Sequence, residues 1–472
     1  MSTLTKVLAE QIRKIEEEAQ VRGELHRSRL THHLMPPTGW LNDPNGLCYF
    51  KGRYHVFFQY APFEAEGGLK FWGHYSSEDM VSWKYEGVPL LPDSPGDCHG
   101  VYSGSALVDG EVMHLFYTGN VKLDGDYDYI NNGRVTGTFH VESRDGIHFS
   151  PKTEVIAAAD YPKNCTCHIR DPKVWKENGV YRMVLGARRK DDHGAVLFYR
   201  SRDGKQWEFE KEMTTEEAFG YMWECPDLFQ VDGEEFFSVS PQGVEREAER
   251  FQNLYQPGYF PVKDGKVRAE EFREWDMGFD FYAPQTFLDG KGRRLLIGWM
   301  GMPDEKTYWN PTVEEGWQHC LTVPREITYR DGALLQYPVE ELEQLRRERT
   351  EIVVGAEQKV SLPFDLDIEV QGAGGSVSLG GVWTLEYGDG KACLRLSEEA
   401  GAGRTCRRAK IPSGNVNHIR ILADTTAAEI YLNHGETVFS TRYYPGGGEC
   451  ALTVNEEQVW GTVYSMAPMK IS

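Results

Sequence analysis

The sequence predicts an all-β chain: a five-bladed β-propeller followed by a C-terminal β-sandwich, with a short helix in front. Three observations predict it. Between about residues 32 and 340, short apolar alternations are punctuated by Gly and Asp-Gly turns, the pattern of strands and hairpins. Within that stretch one unit recurs five times, at a spacing near that of propeller blades. From about residue 350 alternation resumes in a different composition, as a separate antiparallel domain.

Each repeat has a polar or acidic start, a short apolar strand, a turn containing Gly, and a second strand. Anchored on Asp43, Ser103, Asp171, Glu224 and Tyr282, the copies are 60, 68, 53 and 58 residues apart. A second element, Ser-x-Asp-x-x-x-aromatic, follows the first three copies at Ser77–Trp83, Ser143–Phe149 and Ser201–Trp207. It reads as an outer turn with an aromatic side chain plugged between blades. Five copies of a four-stranded unit make a five-bladed propeller, and helical segments are too few here for a β/α barrel. The innermost strand of each blade lines the central axis, so equivalent strand starts meet at one mouth. Three acids far apart in the chain, Asp43, Asp171 and Glu224, are thereby predicted to share one axial pocket.

The flanking segments are simpler. Leu4, Val7, Leu8, Ile12 and Ile15 fall at helical spacing among charged residues, so residues 3–28 read as one amphipathic helix within an extension of residues 1–30. The propeller is assigned to 31–339, a charged helical linker to 340–352, and the sandwich to 353–472. The sandwich shows alternation around Val377, Trp383 and Ala428, a hairpin turn at Asn433-His434-Gly435, and no carboxylate constellation. Its predicted role is structural.

A net charge of -21 argues against nucleic acid and anionic membranes as partners, because long-range steering would repel them. Twelve Trp, 24 Tyr and 22 Phe serve strand packing and also stacking on sugar rings. The nine cysteines are odd in number and follow no framework spacing, which reads as reduced thiols in a cytosolic protein. Cys165-Thr166-Cys167-His168 has no second cluster to complete a metal site. Residues 1–30 lack a secretory apolar core, and no stretch approaches the roughly 18 apolar residues of a membrane span. The expectation is a cytoplasmic enzyme with a small-molecule partner.

Two carboxyl groups are the minimum for acid/base-assisted glycoside cleavage, about 5–5.5 Å apart when one is the nucleophile. A third can grip hydroxyls and help keep the acid protonated. Taken singly, Asp43-Pro44-Asn45-Gly46 is an ordinary turn and Arg170-Asp171-Pro172 an ion pair; at matching points of three repeats they become one site.

WLNDPNG (Trp40–Gly46), RDP (Arg170–Pro172) and ECP (Glu224–Pro226), in this order, resemble the signature of glycoside hydrolase family 32. Phe71–His74, Tyr102–Ser105, Asp280–Gln285, Gly298–Met300 and Leu321–Glu326 extend the resemblance over nearly the whole chain, toward the bacterial intracellular branch that takes sucrose 6-phosphate. The resemblance implies a retaining β-fructofuranosidase acting on sucrose, sucrose 6-phosphate or short fructo-oligosaccharides, with neither metal nor organic cofactor. It implies Asp43 as nucleophile, Glu224 as acid/base and Asp171 as transition-state stabiliser. It places Asn42, Gln59, Trp72, Ser103 and Arg170 around the fructosyl unit, and Tyr282 and Trp299 near the mouth. The residues themselves add three expectations. Arg170 should hold its neighbour Asp171 ionised, Trp72 and Trp299 should offer faces to a sugar ring, and Cys225 should help desolvate Glu224. A fructosyltransferase, an inverting enzyme or phosphorylase on the same architecture, and a non-catalytic sugar-binding propeller are the competing readings.

Overall fold

The computed structural model describes residues 2–23, 28–447, 449–456 and 458–472. The N-terminal helix spans Thr3–Gly23; residues 24–27 of the predicted 3–28 helix lie outside the described residues. Ile12 is buried against the first blade, and Glu16 accepts a 2.6 Å hydrogen bond from the Tyr85 hydroxyl on that blade's outer strand.

Five antiparallel sheets follow, four of them built on four consecutive strands and the fifth interrupted by the short strands Trp317–Gln318 and Cys320–Leu321. Their innermost strands are Gly39–Phe50, Val101–Asp109, Cys165–Glu177, Met222–Val231 and Tyr282–Leu288. Each neighbours the next, and the fifth neighbours the first, so they close a ring around one axis. Two parallel additions complete the first blade. Trp317–Gln318 pairs with Gly39–Trp40 on the inside, and Lys470–Ile471 pairs with Ser82–Trp83 on the outside. The second addition covers an edge that would otherwise present open backbone groups.

The Ser-x-Asp elements connect third and fourth strands. In each, the serine hydroxyl and the aspartate side chain accept backbone N–H groups of the turn, as Ser77 does from Met80 and Asp79 from Ser82. The aromatic reaches back to the preceding blade: Phe149 meets Phe57 edge-on at 6.0 Å, and Trp207 meets Phe116 at 5.8 Å.

The feature that positions the site is a bulge at the start of every inner strand. Register slips between Leu41 and Pro44, Val101 and Gly104, Glu224 and Asp227, and Tyr282 and Gln285, and opposite Asp171 between Val184 and Gly186. Proline stands in four of these bulges (Pro44, Pro172, Pro226, Pro284), where no ladder donor is needed. Asp171, Cys225 and Ala283, each just before its proline, adopt left-handed backbone with φ of 63°, 48° and 47°. Such bulges re-aim side chains beside active sites.

The C-terminal domain is two six-stranded antiparallel sheets around one apolar core. The predicted helical linker differs. Only Glu340–Leu345 coils, as a 3-10 turn, and Arg346–Glu351 is an edge strand paired with Val459–Met466. The Arg346 guanidinium donates to Asp365 and Asp367 (2.8 and 3.0 Å), so tertiary ion pairs override the helical composition of this run.

The domains are fastened by buried charge. Arg404 of the sandwich forks onto Asp280 (2.7 and 2.8 Å). Arg325 of the propeller donates to Glu429 (2.8 Å). His33 lies between Asp424 Oδ2 (2.9 Å) and Glu429 Oε1 (3.0 Å). Burial alone would lower His33, but the two carboxylates raise it to about 9. A folded value above the free value of about 6.5 means stability fully present below that pH and lost as pH rises through 9. His33→Gln removes the buried positive charge between the two carboxylates, leaving Arg325 on Glu429 alone, and should cost about 3–5 kcal/mol. Thermal unfolding at pH 7 should show a clear drop that shrinks above pH 9; an equal drop at all pH values would mean the imidazolium is not what matters.

Candidate active site

The bulges sort the axial side chains into two tiers. Counting back from the bulge proline, or from Gly104 in the second blade, the residue immediately before it is Asp43, Ser103, Asp171, Cys225 and Ala283. These meet. The Ser103 hydroxyl donates to Asp43 Oδ2, and the Cys225 thiol lies 3.7 Å from both Asp43 Oδ2 and Asp171 Oδ2. One residue earlier stand Asn42, Tyr102, Arg170, Glu224 and Tyr282. Arg170 Nε and Nη2 donate to Glu224 Oε1 (3.1 and 2.6 Å), and the Tyr282 hydroxyl donates to Oε2 (2.6 Å). Asp43 and Asp171 thus share a tier, while Glu224 belongs to the adjoining one. The position equivalent to the two aspartates in the fourth blade is Cys225, a shift of one residue from the sequence expectation.

Asp43 is held by donors on both oxygens, Oδ1 accepting from the Asn42 amide at 3.1 Å. Asn42 is itself fixed by the Gln59 carbonyl oxygen (2.6 Å) and by Trp40 Nε1 (2.8 Å). Burial raises the Asp43 carboxyl above its ordinary range; Ser103 and Asn42 oppose this, and the charge of Glu224 adds to it. Asp171 takes the Cys225 backbone N–H at 3.0 Å, and its own N–H donates to Thr118 Oγ1 at 3.0 Å. Burial, opposed by Arg170 and reinforced by Glu224 and Asp43, pushes Asp171 up to about 7. The Lys70 ammonium pulls Asp43 down; burial takes Lys70 itself down to about 7, and it lies 4.8 Å over the Trp40 ring.

Four sequence expectations need correction. Arg170 does not bond Asp171: its nearest approach is 3.9 Å, and its donors go to Glu224 and to His168 Nδ1 (2.8 Å). The Cys225 thiol faces the two aspartates and not Glu224. Trp72 and Trp299 are 0 % and 2 % exposed. Trp72 is wedged against Phe57 and Tyr117, with its indole N–H on the Tyr102 carbonyl (3.1 Å). Trp299 donates to His319 Nδ1 (2.9 Å) and meets Tyr282 edge-on. Both back the pocket and offer no open face; the partly exposed indole here is Trp40. Tyr282 lies deeper than the mouth, on Glu224 itself.

Gln242, which sequence reasoning missed, donates to Glu224 Oε2 at 2.7 Å. The Asp232-Gly233 turn that sets its hairpin register was the signal available. Thr118 and Lys70 were also missed. A groove of about 1440 Å³ lies elsewhere, lined by residues such as Arg273, Tyr329 and His434, and contains none of the three acids. Among the described residues, two groups of three converge closely enough to ligate a metal, His114/His140/Glu142 and Glu369/His418/His434; neither includes Cys165, Cys167 or His168. No helix is long and apolar enough to cross a membrane.

A propeller that gathers three carboxyl groups near its axis and is joined to a sandwich suits a glycoside hydrolase, and comparison with known proteins shows that class and its family. Residues 33–338 match the glycosyl hydrolases family 32 N-terminal domain and residues 392–464 the glycosyl hydrolases family 32 C terminal. The chain belongs to glycosyl hydrolase family 32. It is 38% identical over 457 residues to sucrose-6-phosphate hydrolase from Bacillus subtilis (strain 168), covering 93% of each protein. Among solved structures it resembles sucrose-6-phosphate hydrolase from Lactobacillus gasseri, with a TM-score of 0.87, 28% identity and coverage of 97% and 96%. It also resembles a mutant Bombyx mori GH32 beta-fructofuranosidase in complex with sucrose, with a TM-score of 0.84, 30% identity and 98% coverage of each chain.

Proposed function

We propose that the chain is a retaining β-fructofuranosidase that hydrolyses sucrose 6-phosphate and sucrose, with Asp43 as nucleophile, Glu224 as acid/base and Asp171 gripping fructosyl hydroxyls. The observation that carries the reading is the two-tier arrangement. It sets a doubly held Asp43 in one layer and a Glu224 anchored by Arg170, Gln242 and Tyr282 in the next. A nucleophile must lie against the anomeric carbon and the acid beside the leaving oxygen, so residues in adjoining layers suit the two roles. Relatives named for sucrose-6-phosphate hydrolysis and a structural neighbour holding sucrose support the substrate class.

In the first step Asp43 Oδ attacks C2 of the fructosyl unit while Glu224 gives its proton to the departing oxygen. The C2–O bond to the leaving sugar breaks and an ester to Asp43 forms. In the second, Glu224 takes a proton from water, whose oxygen replaces Asp43 at C2. Glu224 must therefore alternate between protonated and ionised forms. Tyr282 can follow it: its hydroxyl lies 2.6 Å from Glu224 Oε2 and 3.4 Å from the Ser240 carbonyl. Turned to the carbonyl it leaves its own lone pair for a protonated Glu224. The buried Cys225 thiol, raised far above its usual value by burial and by the acids around it, stays protonated between the two aspartates. NMR of early product should show β-fructofuranose, the retained anomer; first-formed α-anomer would mean inversion and end this reading.

A further inference from the structure

The strand behind Asp171 carries a second feature. On strand Val112–Lys122, Thr118 touches the Asp171 backbone, and Asn120 and Lys122 follow on the same face. At about 3.4 Å per residue, Lys122 stands about 13 Å farther along this wall. Its register partner on strand Arg134–Ser143 is Arg134. Like charges placed directly opposite on adjacent strands repel. In a chain of net charge -21 an acid would be the ordinary neighbour. Yet among the described residues neither cation has a carboxylate within ion-pair distance. Lys122 Nζ lies 5.9 Å over the Tyr129 ring, and Arg134 Nη1 reaches only the Asn120 amide oxygen at 3.3 Å. Arg134 Nε is buried with no acceptor at all.

A chain of contacts links the loop between these strands to the acids. Burial, then the charges of Arg170, Arg134 and Arg188, push His168 down to about 3, and Arg170 bonds that imidazole. Arg170 is in turn on Glu224, the group that faces the departing sugar. The intervening loop is already built: Asp128 Oδ1 accepts the N–H groups of Ile130, Asn131 and Asn132, and the Tyr129 carbonyl meets His168 Nε2 at 3.0 Å. Those three bonds hold Asp128 within the loop itself. Arg188, by contrast, is satisfied by Asp192 (2.7 Å) and by the Tyr221 ring.

We propose that Lys122 and Arg134 form a recognition site for a phosphomonoester on the leaving-group sugar. The proposal rests on the fructofuranosidase reading above and deepens it. A phosphate dianion relieves the repulsion between the two cations, and the guanidinium fork supplies the planar donors that phosphate oxygens take. A neutral hydroxyl would do neither.

The test compares kcat/KM for sucrose 6-phosphate, carrying its phosphate on the glucosyl unit, with that for sucrose. Glucose 6-phosphate serves as product inhibitor. Arg134→Gln should lower kcat/KM for the phosphorylated substrate about 10- to 100-fold, mainly through KM, and weaken inhibition by glucose 6-phosphate in proportion. Sucrose should change by less than about threefold, and Arg134→Lys should recover part of the loss. Adding Lys122→Gln should remove the remaining preference. Equal losses on both substrates would make Arg134 merely structural, and a preference surviving in the double variant would put the phosphate elsewhere; either overturns the proposal. Wild-type enzyme that cleaves sucrose without preferring its phosphate would sink this site and leave the fructofuranosidase reading standing. Cleavage of neither would sink both.

Discussion

Asp43→Asn should lower turnover of sucrose by about 10⁴-fold or more, with no loss of fold. The magnitude follows from losing the group that forms the covalent bond, since removing single members of a catalytic triad costs about 10⁴ to 10⁶. The second half of the expectation follows from burial. The Asp43 carboxyl is raised because the pocket disfavours its charge, so a neutral isostere removes a desolvation cost. The Ser103 hydroxyl can rotate to accept from the new amide, and Asn42 can keep its bond to the remaining oxygen. The unfolding temperature of Asp43→Asn should equal or exceed that of the parent while its kcat collapses. A variant that is both folded and active would remove Asp43 from the mechanism.

Glu224→Gln should cost about 10²- to 10⁴-fold on sucrose, the range of a general acid. It should cost far less in the first step on a fructofuranoside whose leaving group needs no proton. The side chain keeps its size, but Arg170 and Tyr282 now face an amide where they had a carboxylate. With an activated substrate, formation of the ester becomes faster than its hydrolysis, because the base that activates water is gone. Burst kinetics should then appear. Equal losses on sucrose and on the activated substrate would argue against an acid role for Glu224.

Much of the architecture was legible because it repeats. Five similar units with turn chemistry at fixed offsets can bury their faces only against one another, and a closed ring brings their starts together. The convergence of Asp43, Asp171 and Glu224 follows from that alone. The tiers were missed: Pro44, Pro172, Pro226 and Pro284 mark the bulge in four blades, and counting from them, not from the acids, sets Glu224 one residue off the aspartates. Side-chain partnerships were not legible. Arg170 adjoins Asp171 in sequence, but neighbours on a strand point to opposite faces, and the bulge turns the guanidinium across to the next blade. Trp72 looked like a sugar platform because tryptophan often is one, yet it sits on a strand whose both faces are covered. The run from Glu340 to Glu351 reads as helix by composition, and only its contact with Asp365 and Asp367 makes its second half a strand. Gln242 is an unremarkable residue in the sequence; its role exists only across a hairpin.

The central claim is that a fructosyl ester forms on Asp43 within a pocket shared with Glu224. It is tested most directly by mixing Glu224→Gln with an activated fructofuranoside, quenching in acid during turnover, and mapping the protein by peptide mass spectrometry. One hexosyl unit should be found on the peptide that contains Asp43, and it should vanish when Asp43→Asn is added. A hexosyl unit on any other residue, or steady turnover with no trapped adduct and an inverted product, would contradict the account.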